Sequence, residues 1–380
     1  MNRRTFAHQV IGTAGILLAG KGVALAAAGK TRVYFGTYTG GKSDSKGIYM
    51  ADFDPATGVL GTPELAVEAD SPSFLEIHPS GKFVYAVGES RASVMAYAVL
   101  PDGKLKLINK ASCKGQGACH VNIDKTGTVA VVANYGSGSV ASFQIKPDGS
   151  LSEAVSFIQH EGTVADKKRQ GGPHAHSANF SPDNRFVLVC DLGLDKVFSY
   201  KLDVTSGALA ANGSGSVPPA SGARHLVFSK SGKHVLVNNE ITLTETVFAY
   251  DAESGKLTAL ETVSLLPKGE AFSSKYSTAE TRMHPNGKWV YVSLRTHDTI
   301  ARLDFDDATG KLTHVNNVSS GGKVPRNFNI DASGRWLLAA HQDSGNVVVF
   351  EIDQATGEIK PTGKEQHVGG GVCVRFLKLT

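Results

Sequence analysis

Leu75-Glu76-Ile77-His78-Pro79-Ser80-Gly81-Lys82-Phe83-Val84-Tyr85 reads as an apolar stretch, a small polar turn ending in glycine, and a run back into apolar residues. The pattern returns around Gly127, Asn184, Gly232, Gly287 and Gly334, at spacings of 46, 57, 48, 55 and 47 residues. A second turn, of the type Asp-x-x-Thr-Gly-x-Leu, carries Gly58, Gly103, Gly149, Gly207, Gly255, Gly310 and Gly357. Its spacings are 45, 46, 58, 48, 55 and 47. Two unrelated turn types that lengthen and shorten together mark one repeated structural unit with insertions at two places.

The unit is all-β. Runs between turns are short and rich in Val, Phe, Tyr and Ile, as in 82–87, 185–189 and 289–292. Glycine sits where the chain turns at positive φ without steric cost. Four strands fit each repeat, which is the blade of a β-propeller. The seventh copy of the first turn is split between the chain ends: Cys373-Val374-Arg375-Phe376-Leu377 reads as the strand before it, and Thr31-Arg32-Val33-Tyr34-Phe35-Gly36 as the strand after. The expectation is a seven-bladed propeller of four-stranded blades. Its ring closes by N- and C-terminal strands sharing one blade, which leaves no open sheet edge.

The front of the chain lies outside this pattern. Asn2-Arg3-Arg4-Thr5-Phe6 is a twin-arginine export signature, followed by an apolar core from Val10 to Ala19 and an Ala-Leu-Ala at 24–26. That core is too short to span a bilayer, so residues 1–26 read as a signal peptide and 27–380 as a single propeller domain. A periplasmic address follows, with no membrane partner once the signal is removed. Loss of Arg3, Arg4 and Lys21 takes the formal charge from +4 to about +1. No basic run remains to neutralise successive phosphates, so nucleic acid is not an expected partner. Four cysteines, Cys113, Cys119, Cys190 and Cys373, leave a Cys113–Cys119 bridge open, while Cys190 and Cys373 read as buried small hydrophobes.

Both glycine turns fall on one face of the ring. The other face collects the loops entering each inner strand and those leaving each second strand, and these hold the reactive side chains. Entering are His174 and His176, Arg224 with His225, Glu280 with Arg282, and Arg326; leaving are Asn134, Asp191, Glu240, Arg295 with His297 and Asp298, and His341. Insertions near 162–172 and 265–277 lie on the same face. His174 and His176 lack a third metal ligand, so no metal and no cofactor are expected. Arg224 and Glu240 have two readings, a blade-to-blade ion pair or catalysis. Glu240 follows Val235-Leu236-Val237 near the ring interior, where a carboxylate needs a cationic partner. Arg224 lies eight residues before Gly232 and Glu240 eight after it, which brings them level on an antiparallel pair. No Gly-x-Ser-x-Gly elbow and no phosphate-binding loop are present.

Gly172-Pro173-His174-Ala175-His176-Ser177, Asp191-Leu192-Gly193-x-Asp195, Arg224-His225-x-Val227-Phe228, Asn239-Glu240, Arg295-x-His297-Asp298 and 342–350 together resemble the propeller-type 6-phosphogluconolactonases, relatives of fungal muconate-lactonising enzymes. The resemblance runs from Tyr34 to the C-terminus. It implies hydrolysis of a sugar lactone of gluconolactone or 6-phosphogluconolactone type, with a small-molecule lactone as partner. By position it implies His176, Arg224, Glu240 and either Arg282 or Arg295 as catalytic residues, with His174, Arg326, Asn134 and His297 as substrate contacts. Departures border this pocket: a longer segment 241–246, Ala223 for the family's proline, and Leu294 for its asparagine. A muconate-type cycloisomerase and a non-catalytic binding propeller remain the rival classes.

Overall fold

The computed structural model describes residues 31–379; the export signal expected over 1–26 lies outside them. Seven antiparallel sheets form the blades. The first begins with Gly371–Lys378 as its inner strand, paired with Thr31–Thr37 and then Gly47–Asp54. Its outer position is broken into Val59–Leu60 and Glu64–Glu68, both on Gly47–Asp54. The second to seventh blades follow in order over 75–112, 118–159, 175–216, 223–264, 277–319 and 325–367, four strands each. The expected closure is thus present: Tyr34 pairs with Arg375 and Phe35 with Val374. Among the described residues no helix is long and apolar enough to cross a membrane.

Burial follows position within the blade. Second strands such as Val129–Asn134, Phe186–Asp191 and Trp336–His341 are buried at every residue, since each sheet is covered on both faces by its neighbours. Outermost strands alternate instead, as in Leu151–Gln159, with one face wet.

The shared drift of the two turns has a steric cause. The first-turn residues Gly81, Gly127, Asn184, Gly232, Gly287 and Gly334 all have φ between 67° and 80°. Several second-turn glycines, also at positive φ, seat on the first large side chain after the first turn of the preceding blade. Gly149 faces Phe83, Gly255 faces Phe186, Gly357 faces Trp289, and Gly58 faces Trp336 across the closure. The Tyr34, Tyr85 and Tyr291 hydroxyls then donate to the carbonyls of Gly103, Gly149 and Gly357 at 2.6–2.9 Å. Each turn is therefore fitted to its neighbour.

A Cβ on Gly357 would overlap the Trp289 indole and would also have to adopt φ +75°. Gly357→Ala should cost about 2–4 kcal/mol, from overpacking plus the left-handed backbone. Chemical denaturation checks this; a midpoint unchanged from wild type would refute the seating.

Candidate functional site

One extra residue in the inner strands builds the site. In Ala223–Phe228, Ala223 pairs with Asn239 and His225 with Asn238, so Arg224 has no opposite number. It is the bulged residue, and a β-bulge re-aims a side chain without ending the strand. The same bulge leaves Cys119, His176, Arg326 and Val372 unpaired in their own blades. In the sixth blade Ala279 and Glu280 both fall opposite Ser293. Cys119, His176, Arg224, Arg326 and Val372 line one small cavity at the channel mouth. Each of the first four sits eight residues before its turn residue, at Gly127, Asn184, Gly232 and Gly334.

A second tier stands eight residues after the turn residues Gly81, Gly127, Gly232, Gly287 and Gly334: Glu89, Tyr135, Glu240, Arg295 and Gln342, with Tyr38 in the closing blade. The two tiers meet at Glu240. Arg224 Nε donates to Glu240 Oε2 at 2.9 Å, and Arg295 Nη2 lies 2.9 Å from the same oxygen. Arg224 also donates through Nη1 to the Ala279 carbonyl, and Arg295 to the Thr278 carbonyl at 2.8 Å. Arg326 donates to Gln342 Oε1 at 3.3 Å and lies 5.3 Å from the Tyr38 ring centre. The level pairing of Arg224 and Glu240 is present, but through a bulge rather than a simple ladder.

Electrostatics follow from three cations and one clamped carboxylate. Burial pushes Glu240 up, but Arg295, Arg224 and Arg326 outweigh it and hold the carboxyl below its ordinary value. Burial pulls Arg295 down to about 10, against the opposing pull of Glu240. His176 is driven well below the usual imidazole range by burial, then by Arg224, His225 and Arg326. The ring is therefore neutral at pH 7, and its Nδ1 has no hydrogen-bond partner among the described residues.

Several expected residues lie elsewhere. Arg282 sits only five residues before Gly287, deeper in the channel, bonded to Glu280 at 3.5 Å and lining a separate polar cavity with Glu76, His120 and Arg375. Arg295, not Arg282, completes the Glu240 clamp. Asn134 points away from the mouth, because strand side chains alternate and it is one residue short of Tyr135. Its amide is spent on the Cys113 carbonyl and Ser139. His297 is held by Thr299 at 2.6 Å and by Glu270 of the second insertion at 2.7 Å, so it pins that insertion. His174 stacks on Tyr135 with centroids 4.4 Å apart, at the rim. Cys113 and Cys119 are both free thiols; the Cys119 thiol donates to the His176 carbonyl at 3.3 Å, so the bridge left open above is absent. Cys190 and Cys373 are buried as expected. Missed were Tyr38, Glu89 and Cys119, although the eight-residue offset that placed Arg224 and Glu240 also places Glu89 and Cys119.

A hollow of about 780 Å³ lies on the glycine-turn face among Lys230, Asn286, Asp306 and Asp307. Two of its charged groups are committed to the wall, Asp307 to Ser231 and His234, and Arg302 to Asp304. The channel mouth is the candidate site. Among the described residues no group of three or more His, Cys, Asp or Glu is placed to hold a metal.

Residues 32–376 match the family model described as lactonase, 7-bladed beta-propeller. The chain is 33% identical to a 6-phosphogluconolactonase of Bacillus subtilis over 90% of this chain and 97% of the relative. It is 32% identical to a 6-phosphogluconolactonase of Formosa agariphila, over 91% and 99%. The solved structure of a periplasmic gluconolactonase of Pseudomonas aeruginosa superposes with a TM-score of 0.85 at 29% identity, over 92% of this chain and all of that one. With the bulged inner strands, the closed seven-blade ring and these matches together, the chain belongs to the seven-bladed β-propeller lactonase family.

Proposed function

We propose that the channel mouth hydrolyses a sugar lactone to the aldonic acid. The observation that carries this is the double clamp of Arg224 and Arg295 on Glu240, beside a neutral, unpartnered His176. Lactone opening needs a proton acceptor for water and cations at the carbonyl oxygen as it becomes anionic. His176 takes the proton as the water oxygen bonds to the carbonyl carbon. Arg224 and Arg326 hold the developing oxyanion. The ring C–O bond then breaks, the ring oxygen receives the proton, and a carboxylate product leaves with one proton released to solvent. Glu240 is a poor base here because two guanidiniums share its oxygen; it fixes the direction of Arg224 and Arg295 instead.

For the substrate we propose an unphosphorylated aldonolactone. The twin-arginine leader read from the sequence supports an extracytoplasmic address, where sugar oxidation supplies free lactones, whereas phosphorylated sugars are retained in the cytoplasm by their charge. The relatives' names point to the phosphorylated lactone.

In a pH-stat, purified protein should speed base uptake from δ-gluconolactone well above the spontaneous rate. Because the His176 pKa is lowered, its base form is fully present at neutrality: kcat/KM should be level from about pH 6.5 to 8, with its acidic limb centred well below the ordinary imidazole value of about 6.5. No acceleration at any pH in that range ends the lactonase reading for this substrate, and a limb centred at or above 6.5 ends the role of His176. Arg224→Ala should lower kcat by about 10²–10³, the usual loss for one oxyanion donor. Arg224→Ala/Glu240→Gln should be little worse than the poorer single variant, since one unit is already broken; fully additive losses would separate their roles. Catalytic efficiency on δ-gluconolactone should exceed that on 6-phosphogluconolactone, and a large preference for the phosphorylated substrate would reverse the choice.

A further inference from the structure

The cavity walled by Cys119, His176, Arg224 and Arg326 holds about 20 Å³, room for about one water. A sugar carrying the reacting carbonyl must therefore sit outside it, in the mouth. On one side the mouth is walled, where the two insertions meet and Arg169 Nη1 donates to the Ser274 carbonyl at 3.3 Å. On the other side, between the seventh and first blades, a groove of about 650 Å³ leads away from the channel. Tyr38 borders both the cavity and the groove. Gln342, which accepts from Arg326, lines the groove as well.

We propose that this groove is a second subsite, taking the sugar carried by an aldobionolactone, the lactone of a disaccharide oxidised at its reducing end. The proposal rests on the lactonase reading above. The groove has the size of a small-ligand pocket. Its walls carry Lys42, the Asp44–His367 pair at 2.9 Å, Asp343, which accepts from Gln342 at 3.2 Å, and Ser344, which donates to Asn346 at 2.7 Å; the lysine and the remaining carboxylate lone pairs can meet sugar hydroxyls. Glycines keep it open: a Cβ on Gly369 would overlap the Asp44 carboxylate, and one on Gly370 would press on Ser43 and on the Tyr38 carbonyl. Tyr38 at the junction supplies an aromatic edge for a pyranose. Asp343, and Asp44 bonded to His367, stand against the single lysine Lys42, so the lining has no cluster of cations to select a phosphate and takes a neutral sugar. The reacting lactone lies over Arg224 and Glu240, and its glycosyl substituent runs out past Tyr38.

Lactobionolactone and δ-gluconolactone are compared as substrates for the wild type and for Lys42→Ala/Asp44→Ala. Lys42 and Asp44 are exposed, and neither belongs to the clamp. Two or three sugar hydrogen bonds should give lactobionolactone at least about a tenfold advantage in kcat/KM. The double variant should erase that advantage and leave δ-gluconolactone within about twofold. If δ-gluconolactone is hydrolysed but the disaccharide lactone is no better, or its advantage survives the double variant, the subsite is overturned and the lactonase reading stands. If neither lactone is turned over, the lactonase reading falls, and titration of lactobionate and gluconate by calorimetry decides the groove alone. Tighter lactobionate binding that weakens in the double variant upholds it; equal binding of the two acids refutes it.

Discussion

Everything at the channel mouth depends on one unpaired residue in an inner strand. A regular strand beside the axis would alternate its side chains between the two neighbouring blades, and all of them would be consumed by blade packing. The bulge breaks that alternation at one level, and His176, Arg224 and Arg326 share it. Because the bulge recurs in blade after blade, side chains far apart in sequence arrive at the same height. A propeller thereby gathers a site from single residues, each supplied by a different sheet. Removing the bulge in one blade would rotate its contribution into the wall.

The cost of this gathering is like-charge crowding. Arg224, Arg295 and Arg326 are brought together with little solvent, and burial first, then the neighbouring guanidiniums, lower the pKa of Arg224 and Arg295. Glu240 offsets that cost by accepting from Arg224 and pairing with Arg295 through one oxygen. Isolating one partner of such a buried group is expensive, on the order of 3–5 kcal/mol, because the remaining charge has no water to turn to. The carboxylate is therefore a condition for the arginines being there, whether or not it touches substrate. In the reaction proposed above, the guanidinium donors of Arg224 and Arg326 that are not spent on Glu240, Ala279 and Gln342 are the ones left for the oxyanion.

The fold was fully legible because it is written many times over: each turn appears repeatedly, and the closing strands at Thr31 and Cys373 supply the missing half-copies. Arg224 and Glu240 were legible for the same reason, as symmetric offsets from Gly232. Arg282 and Asn134 misled because residue type was weighed over position: an arginine five residues from its turn lies deeper in the channel, and an asparagine one residue before Tyr135 faces the other side of its strand. The choice between Arg295 and Arg282 needed three dimensions, since both precede or follow Gly287 by plausible distances. His297 has the chemistry of a site residue, and only its bonds to Thr299 and Glu270 show that it is committed to the insertion. The state of Cys119 was equally hidden, because a spacing of six residues permits a bridge that the bulge then prevents by turning the thiol toward the His176 carbonyl.

The two faces of the ring divide stability from chemistry. On the turn face, Gly149, Gly255 and Gly357 are locked against Phe83, Phe186 and Trp289, and even a methyl group has no space there. Such a surface can carry little functional variation, since each change is felt by the neighbouring blade. On the opposite face the loops are longer, the two insertions find room, and polar side chains such as Lys42 and Asp343 face solvent. Substrate choice can therefore shift by altering loops that leave the blade contacts untouched. The departures noted in the sequence at Ala223, Leu294 and 241–246 border the Arg224–Glu240–Arg295 clamp without belonging to it; Ala223, Leu243 and Leu294 are buried in blade cores, so these changes reach the mouth through packing beneath it. On the lactonase reading proposed above, the clamp sets the reaction and the loops around it set which lactone reaches the clamp.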